Sequence, residues 1–394
     1  MSREARDAPT SEHHMKKHSL LAPGPTPIPP EVLQALARPI VHHRTPLYEG
    51  ILQEVREGLK YLFRTKSEVL IFASSGTGAM EGAVINTLCA GDRVLVIEGG
   101  KFGERFSNIC RAYGVKPIVL PVEWGRAIDP AVIEKALRED PSIKAVFTQA
   151  TETSTGVLHP VREIAALVSR HPGTILVVDG ISHVGAVELP MDEWKLDVVI
   201  CGSQKALMLP PGLAFAALSD KAWEFVERST LPRFYFDFKK ERKNLIQNQS
   251  AYTPAISLVV GLAESLRLIR KEGLENILAR HARLAKATRA AMGALGLQLY
   301  APRAYSDAVT AVLAPPGVDG QKVVKILREK HNLTIAGGQD RAKGKIFRLA
   351  HMGYIDQSDI IAGIAAVELS LKELGYQFEL GAGIKAAIEV LSNE

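Results

Sequence analysis

The sequence predicts an α/β protein: a large domain whose mostly parallel sheet is flanked by helices, followed by a smaller α+β C-terminal domain. Three observations carry this. Short apolar runs at 69–73, 94–97, 117–120, 145–147, 175–178, 198–200 and 213–218 alternate with helical stretches, and most lack the polar alternation of half-exposed strands. Strands covered on both faces read this way. From residue 256 the pattern changes to long helical segments with charges on one face. Finally, two apolar runs end in polar residues, Asp179 and Lys205, as strand ends at a crevice do.

The bulk properties fit. A length of 394 residues suggests two or three domains, and 46% apolar with 23% charged residues is ordinary for a globular chain. No apolar run approaches the ~18 residues of a membrane span. The +5 net charge is spread along the chain, so no basic stripe points to nucleic acid. Three distant cysteines make neither a disulfide framework nor a metal pair, and a reducing, cytoplasmic setting is expected. Residues 1–18 form a polar tail without the apolar core of a signal peptide. His13, His14 and His18 in that tail have the chemistry to bind metal, but a solvated tail is the simpler reading and no metal site is expected.

In chain order, residues 19–40 form an N-terminal arm. Its prolines in LLAPGPTPIPP (20–30) exclude regular helix or central strand and predict an extended segment laid on something. Apolar residues at 48, 51, 52, 55, 59 and 62 predict a helix opening a large domain, 41–265. The stretch 256–296 reads as helix broken near Gly273. Then come a strand at 308–313, a helix near 321–330, a strand at 346–349 and a helix from Asp359, within a small domain assigned to 266–394. The main cleft is expected between the two units.

The turn Ser74-Ser75-Gly76-Thr77-Gly78 follows the run 69–73 and opens a helix. Glycines let backbone N–H groups approach an anion, and a helix N-terminus favours negative charge, so this is a candidate phosphate cradle; a plain strand-to-helix turn is the alternative. Gly76, Gly78 and Gly82 stand one residue off a dinucleotide fingerprint, and Glu98 ends the next strand where a ribose-binding acid would stand. An NAD(P) dehydrogenase is therefore open on this segment alone. Against it, the turn is not at the head of the sheet; and with no GK[ST] after the turn, an NTPase is poorly supported.

Asp179 and Lys205 lie at the ends of consecutive buried strands and should face the same crevice as the turn. A plain salt bridge would also account for them. Together with a phosphate cradle they supply what pyridoxal phosphate requires: an amine for the Schiff base and proton transfer, and a carboxylate for the pyridine nitrogen. Phe102 could stack on the ring or belong to the core. The dehydrogenase reading leaves Lys205 unexplained.

Seven stretches carry a resemblance: LLAPGPTPIPP (20–30), SSGTGAME (74–81), ETSTGVLHP (152–160), VVDGISHVGA (177–186), GSQKALMLPPG (202–212), YTPAISL (252–258) and GKIFRLAHMG (344–353). On these the chain resembles the class V, fold-type I pyridoxal-phosphate aminotransferases of the alanine–glyoxylate and serine–glyoxylate group. The resemblance implies that Lys205 carries the cofactor, that Asp179 holds its ring nitrogen and that Gly76, Thr77 and Gln204 bind its phosphate. Thr153 would reach the phenolic oxygen, where relatives often have serine, and Phe102 would stack where several relatives have tryptophan. Thr253, with Tyr252 beside it, would reach the phosphate of a neighbouring subunit, which implies a homodimer with shared active sites. Arg348, in an apolar strand, suits a substrate carboxylate; a structural ion pair is the alternative. Gly24 on the arm and His43 would line the same site.

The implied activity is ping-pong transamination between a small amino acid, alanine or serine, and a small 2-oxo acid, glyoxylate or pyruvate. A phosphoserine aminotransferase is the nearest alternative, with His42, His43 and Arg44 as the extra basic residues. No cysteine follows Cys201, which argues against a desulfurase. A non-catalytic accessory subunit is the remotest reading.

Overall fold

The computed structural model describes residues 17–393. The expectations for residues 1–16, including His13 and His14, lie outside the described residues; His18 is exposed, with Nδ1 3.2 Å from the Asn332 carbonyl.

A central sheet of seven strands has the spatial order Val69–Phe72, Ala214–Leu218, Val198–Gly202, Ile175–Asp179, Ala145–Gln149, Arg93–Glu98 and Lys116–Pro121. These are the seven apolar runs of the sequence. All run parallel except Ala214–Leu218, which is antiparallel to both its neighbours. Every residue of Ile175–Asp179, Val198–Gly202 and Ala214–Leu218 is buried, which is why these strands read as unbroken apolar runs.

Helices cover both faces. Gly76–Thr87 packs on Val198–Gly202 and Ala214–Leu218, and Lys101–Ala112 on the strands at the opposite edge. Pro46–Phe63 presents Tyr48, Leu52, Val55 and Leu59, all buried, and packs on Ile256–Glu272. Gly273, at φ +88°, breaks the long helical stretch, and Leu274–Ala294 follows.

A second core gathers Leu284, Val312, Phe347, Ile364 and Leu371 around a three-stranded antiparallel sheet, in which Ile346–Ala350 lies between Val309–Leu313 and Ala336–Gly337. The first core extends to Ile277. Leu21 of the arm belongs to the second, because Ser19–Leu20 pairs in parallel with Leu333–Thr334.

The arm departs from the extended expectation at its C-terminal end. Pro30–Leu36 is a helix, with Pro30 at its start, where the missing N–H is no loss and the fixed φ is already helical. The prolines therefore begin a helix there instead of excluding one. Among the described residues no helix is long and apolar enough to cross a membrane.

Candidate active site

Strands that run parallel end on the same edge of the sheet. Asp179 is the last residue of Ile175–Asp179, Lys205 lies just beyond Val198–Gly202, and Gly76 opens the helix after Val69–Phe72. All three line one cavity of about 210 Å³, walled also by Thr77, Gln204, Thr153, Phe102 and Gly24. Eight of the predicted site residues thus meet in one place. A larger cavity of about 490 Å³, lined by His159, His183 and Trp194 among others, holds no lysine. The chemistry of a buried amine and carboxylate belongs to the smaller one.

Lys205 is only 7% exposed. The turn that carries it is knitted by Ser203, whose N–H donates to Leu213 O (2.9 Å) and whose hydroxyl donates to Pro210 O (2.7 Å). The arm clamps it from outside. Lys205 Nζ donates to Pro23 O, Thr26 Oγ1 donates to Lys205 O at 2.8 Å, and Thr26 N donates to Gln204 O at 3.2 Å. Gly24 is required at this contact. Its φ is +101°, and a Cβ there would stand 2.4 Å from Lys205 Nζ. Burial lowers the Lys205 amine to about 8, against the opposing pull of Asp179.

The plain salt-bridge reading does not hold, because Lys205 and Asp179 form no ion pair. Asp179 Oδ1 accepts from Ile181 N at 2.9 Å, and burial raises the carboxyl to about 7. An uncompensated buried carboxyl of this kind would be restored to its ionised form by a cation brought to it. Arg348 likewise has no carboxylate partner. Its three hydrogen bonds run to carbonyls: Nη1 to Thr153 O (2.7 Å), and Nε and Nη2 to Gly337 O (3.1 and 2.7 Å). It therefore stands one residue behind the cavity wall, at Thr153, and burial lowers it to about 10.

The glycine turn has the form of an anion cradle. Ser75, at the N-cap, provides no side-chain cap, so the amides of Gly76 and Thr77 keep their donors, while Gly78 N–H donates to Ser75 O at 2.8 Å. A Cβ on Gly76 would come within 2.5 Å of Ile181 Cδ1. Gln204 Oε1 is buried without a hydrogen-bond partner. An amine, a carboxyl and a helix N-terminus around one cavity suit pyridoxal phosphate.

Four neighbours were not read from the sequence. Arg105 lines the cavity and donates from Nη1 to Thr77 Oγ1 at 3.1 Å. Ser182 accepts from Thr153 Oγ1 at 2.7 Å, and Thr151 Oγ1 lies 2.9 Å from His183 Nδ1. Glu152, fully buried, accepts from the amides of Phe102 (3.0 Å) and Gly103 (3.2 Å) and from Ser154 Oγ (2.5 Å). It caps the helix Lys101–Ala112 from outside and so holds Phe102; burial raises its carboxyl while these donors oppose the shift. The sequence signals for them are the helical spacing of Arg105 from Phe102 and the place of Glu152 and Ser182 in the stretches 152–160 and 177–186.

Four predicted residues do not line this cavity: Arg348, behind Thr153, and Tyr252, Thr253 and His43. Tyr252 and Thr253 line a separate space of about 30 Å³, with Tyr252 Oη donating to Phe234 O at 2.9 Å. His43 stacks on His42, ring centroids 4.7 Å apart, and is not part of the cavity wall. Glu98, the acid of the dinucleotide reading, does not line the cavity either.

The class-V aminotransferase family matches residues 19–360. The chain belongs to that family. It is 44% identical, over 95% of this chain and 99% of that protein, to a protein of Synechococcus sp. described as a soluble hydrogenase small subunit. It is 37% identical to L-aspartate–glyoxylate aminotransferase of Paracoccus denitrificans, over 95% of this chain and 96% of that one. To serine–glyoxylate aminotransferase of Methylorubrum extorquens it is 38% identical over the same shares. The crystal structure of ureidoglycine–glyoxylate aminotransferase from Bacillus subtilis superposes with a TM-score of 0.92 at 29% identity, covering 97% of this chain and 100% of that one. The chain is thus a fold-type I aminotransferase, and its family is pyridoxal-phosphate dependent. Membership removes the dinucleotide reading of the glycine turn. The aminotransferase carries, among its described residues, no group of three or more His, Cys, Asp or Glu side chains placed to hold a metal ion.

Proposed function

We propose that the enzyme moves the amino group of a small amino acid, alanine or serine, to glyoxylate or pyruvate in two halves, the first oxo acid leaving before the acceptor enters. The observation that carries this is the buried, unpaired Lys205 sharing a small cavity with Asp179 and the glycine turn. Glyoxylate recurs in the names of three relatives whose donors differ, so the acceptor is better supported than the donor.

Pyridoxal phosphate, when bound, supplies an aldehyde and an electron-withdrawing ring. Gly76, Thr77 and Gln204 would hold its phosphate, Asp179 its ring nitrogen, Phe102 its face and Thr153 its phenolic oxygen. Lys205 Nζ takes the proton from the donor's α-carbon, a role its lowered basicity suits near neutral pH. Arg348 has donors left beyond its three carbonyl bonds and offers them to the α-carboxylate. The arm, through Pro23 and Gly24, keeps water from the amine. Residues 41–265 would hold the cofactor and 266–394 close over it. Tyr252 and Thr253 serve the site of a second copy in a homodimer, and the enzyme works in the cytoplasm.

The deciding experiment adds pyridoxal phosphate to the purified protein and then alanine, serine or aspartate singly, following the visible absorbance band and the oxo acid formed. Alanine or serine should bleach the band without an acceptor present, and Lys205→Ala should form no band. Turnover by Lys205→Ala at the normal rate would overturn the proposal, and bleaching by aspartate alone would overturn the small-donor assignment.

A further inference from the structure

Arg105 is a cation at the cavity whose partners, among the described residues, do not account for its charge. It lies half-buried on the helix Lys101–Ala112, its guanidinium 4.9 Å from the centroid of Phe102, and donates to Thr77 Oγ1. Its neighbours are satisfied differently. Lys101 pairs with Glu104 and Asp340, and Arg348 gives three of its five donors to carbonyls on the far side of Thr153. Arg105 has no acid, and one hydrogen bond uses a small part of its five-donor fork.

The direction of the bond to Thr77 matters. Because Thr77 Oγ1 accepts from Arg105, its own hydrogen is left to donate to a further acceptor, and Thr77 stands in the first turn of the uncapped helix Gly76–Thr87. A helix N-terminus offers only about half a unit of positive charge, whereas a phosphate monoester brings about −1.5 to −2 near neutral pH. The cradle is therefore undercharged without a full cation.

We infer that Arg105 reads the charge of the cofactor's phosphate, pairing with the group seated on the Gly76 and Thr77 amides and turning the Thr77 hydroxyl towards it. The inference rests on the pyridoxal-phosphate reading of the site. It distinguishes Arg105 from a residue that merely braces Phe102 and Thr77, since bracing would support the ring as much as the phosphate.

The test titrates apoprotein with pyridoxal phosphate and, separately, with pyridoxal, which has the same ring and aldehyde but no phosphate. Binding is read as a dissociation constant from the lysine-dependent absorbance band. Arg105→Met should weaken pyridoxal phosphate about 10–100-fold, the usual weight of a charge-assisted pair, and pyridoxal by less than about threefold. Arg105→Lys should fall between wild type and Arg105→Met. Inorganic phosphate should compete with pyridoxal phosphate on the wild-type apoprotein and compete poorly on Arg105→Met. Equal weakening of both aldehydes, or of neither, would overturn the inference. Retained pyridoxal binding shows that the variant is folded. Failure of the wild-type chain to capture pyridoxal phosphate at all would instead bring down the proposed function, and this inference with it.

Discussion

Lys205 faces Asp179 across the cavity, with Arg348 behind Thr153, and the three largest of the five influences on its amine do not cancel. Desolvation is the largest and lowers it, Asp179 pulls it up, and Arg348 pushes it down further. The amine should therefore titrate near 8 in the apoprotein instead of near 10.5. Measured as the rate of modification by an amine-selective reagent, reactivity at Lys205 should rise as pH climbs through about 8 and level off well below pH 10. A rise centred near 10.5 would mean a solvated lysine. Arg348 offers a second residue-level prediction. Its forked geometry, already fixed on Gly337 O and Thr153 O, is something lysine does not reproduce. Arg348→Lys should lower kcat/KM for an α-amino acid about 10–100-fold and leave reaction with an amine lacking the carboxylate nearly unchanged. Equal losses on both substrates would assign Arg348 to structure alone.

Among the elements, the arm links the two cores to the chemistry. Ser19–Leu20 adds a short strand beside Leu333–Thr334, Leu21 enters the second core, and Val32 and Ala35 of the helix Pro30–Leu36 are buried. Between these anchors, Gly24 touches Lys205. Gly24→Ala should leave the far-ultraviolet circular dichroism unchanged, because both anchors are retained. It should slow capture of pyridoxal phosphate about 10–100-fold, because a methyl group there displaces either the arm or the amine. Capture at the wild-type rate would show that the arm is loose. The arm also marks the limit of what the sequence makes legible. The seven sheet strands could be read because burial on both faces leaves an unbroken apolar run. Pairs such as Thr151–Glu152 with Val157–Leu158, or Ala336–Gly337, are too short for any period to show. Lys205, Asp179 and the glycine turn stood out because each is a polar or glycine break at the end of an apolar strand. Arg105 and Glu152 had no such contrast. Their roles arise from the helix Lys101–Ala112 docking beside the hairpin at Thr151, a long-range contact that spacing along the chain does not encode.

At the scale of the whole molecule, the two units are joined through a neutral histidine. His281, on Leu274–Ala294, accepts from Gly353 N at Nε2 (3.0 Å), so its proton lies on Nδ1, which faces Ala186 O at 3.2 Å. Ala186 belongs to the cofactor side, and Gly353 abuts Lys205, since a Cβ there would stand 3.2 Å from Lys205 O. Burial, reinforced by Arg280, holds His281 down to about 3, whereas in the unfolded chain it titrates near 6.5. The folded-state value is the lower one, so as pH falls below about 6.5 the unfolded chain takes up a proton that the folded chain refuses. The contribution of His281 is complete above about pH 6.5 and declines steadily towards pH 3. His351, held to about 3, and His159 and His183, held to about 4, act with the same sign. Asp179 and Glu241, raised to about 7, act oppositely, because there the folded state binds the extra proton. The clean measurement is therefore a difference that cancels these other groups. His281→Asn should be less stable than wild type at pH 7.5, having lost a well-placed donor–acceptor pair. The gap should narrow as the pH is lowered to 5, by up to about 1.4 kcal/mol for each pH unit below 6.5. Denaturant unfolding of both proteins across that range reads it directly. Parallel stability curves would mean that His281 carries its proton in the folded state, and that the contact between the two units does not depend on the neutral ring.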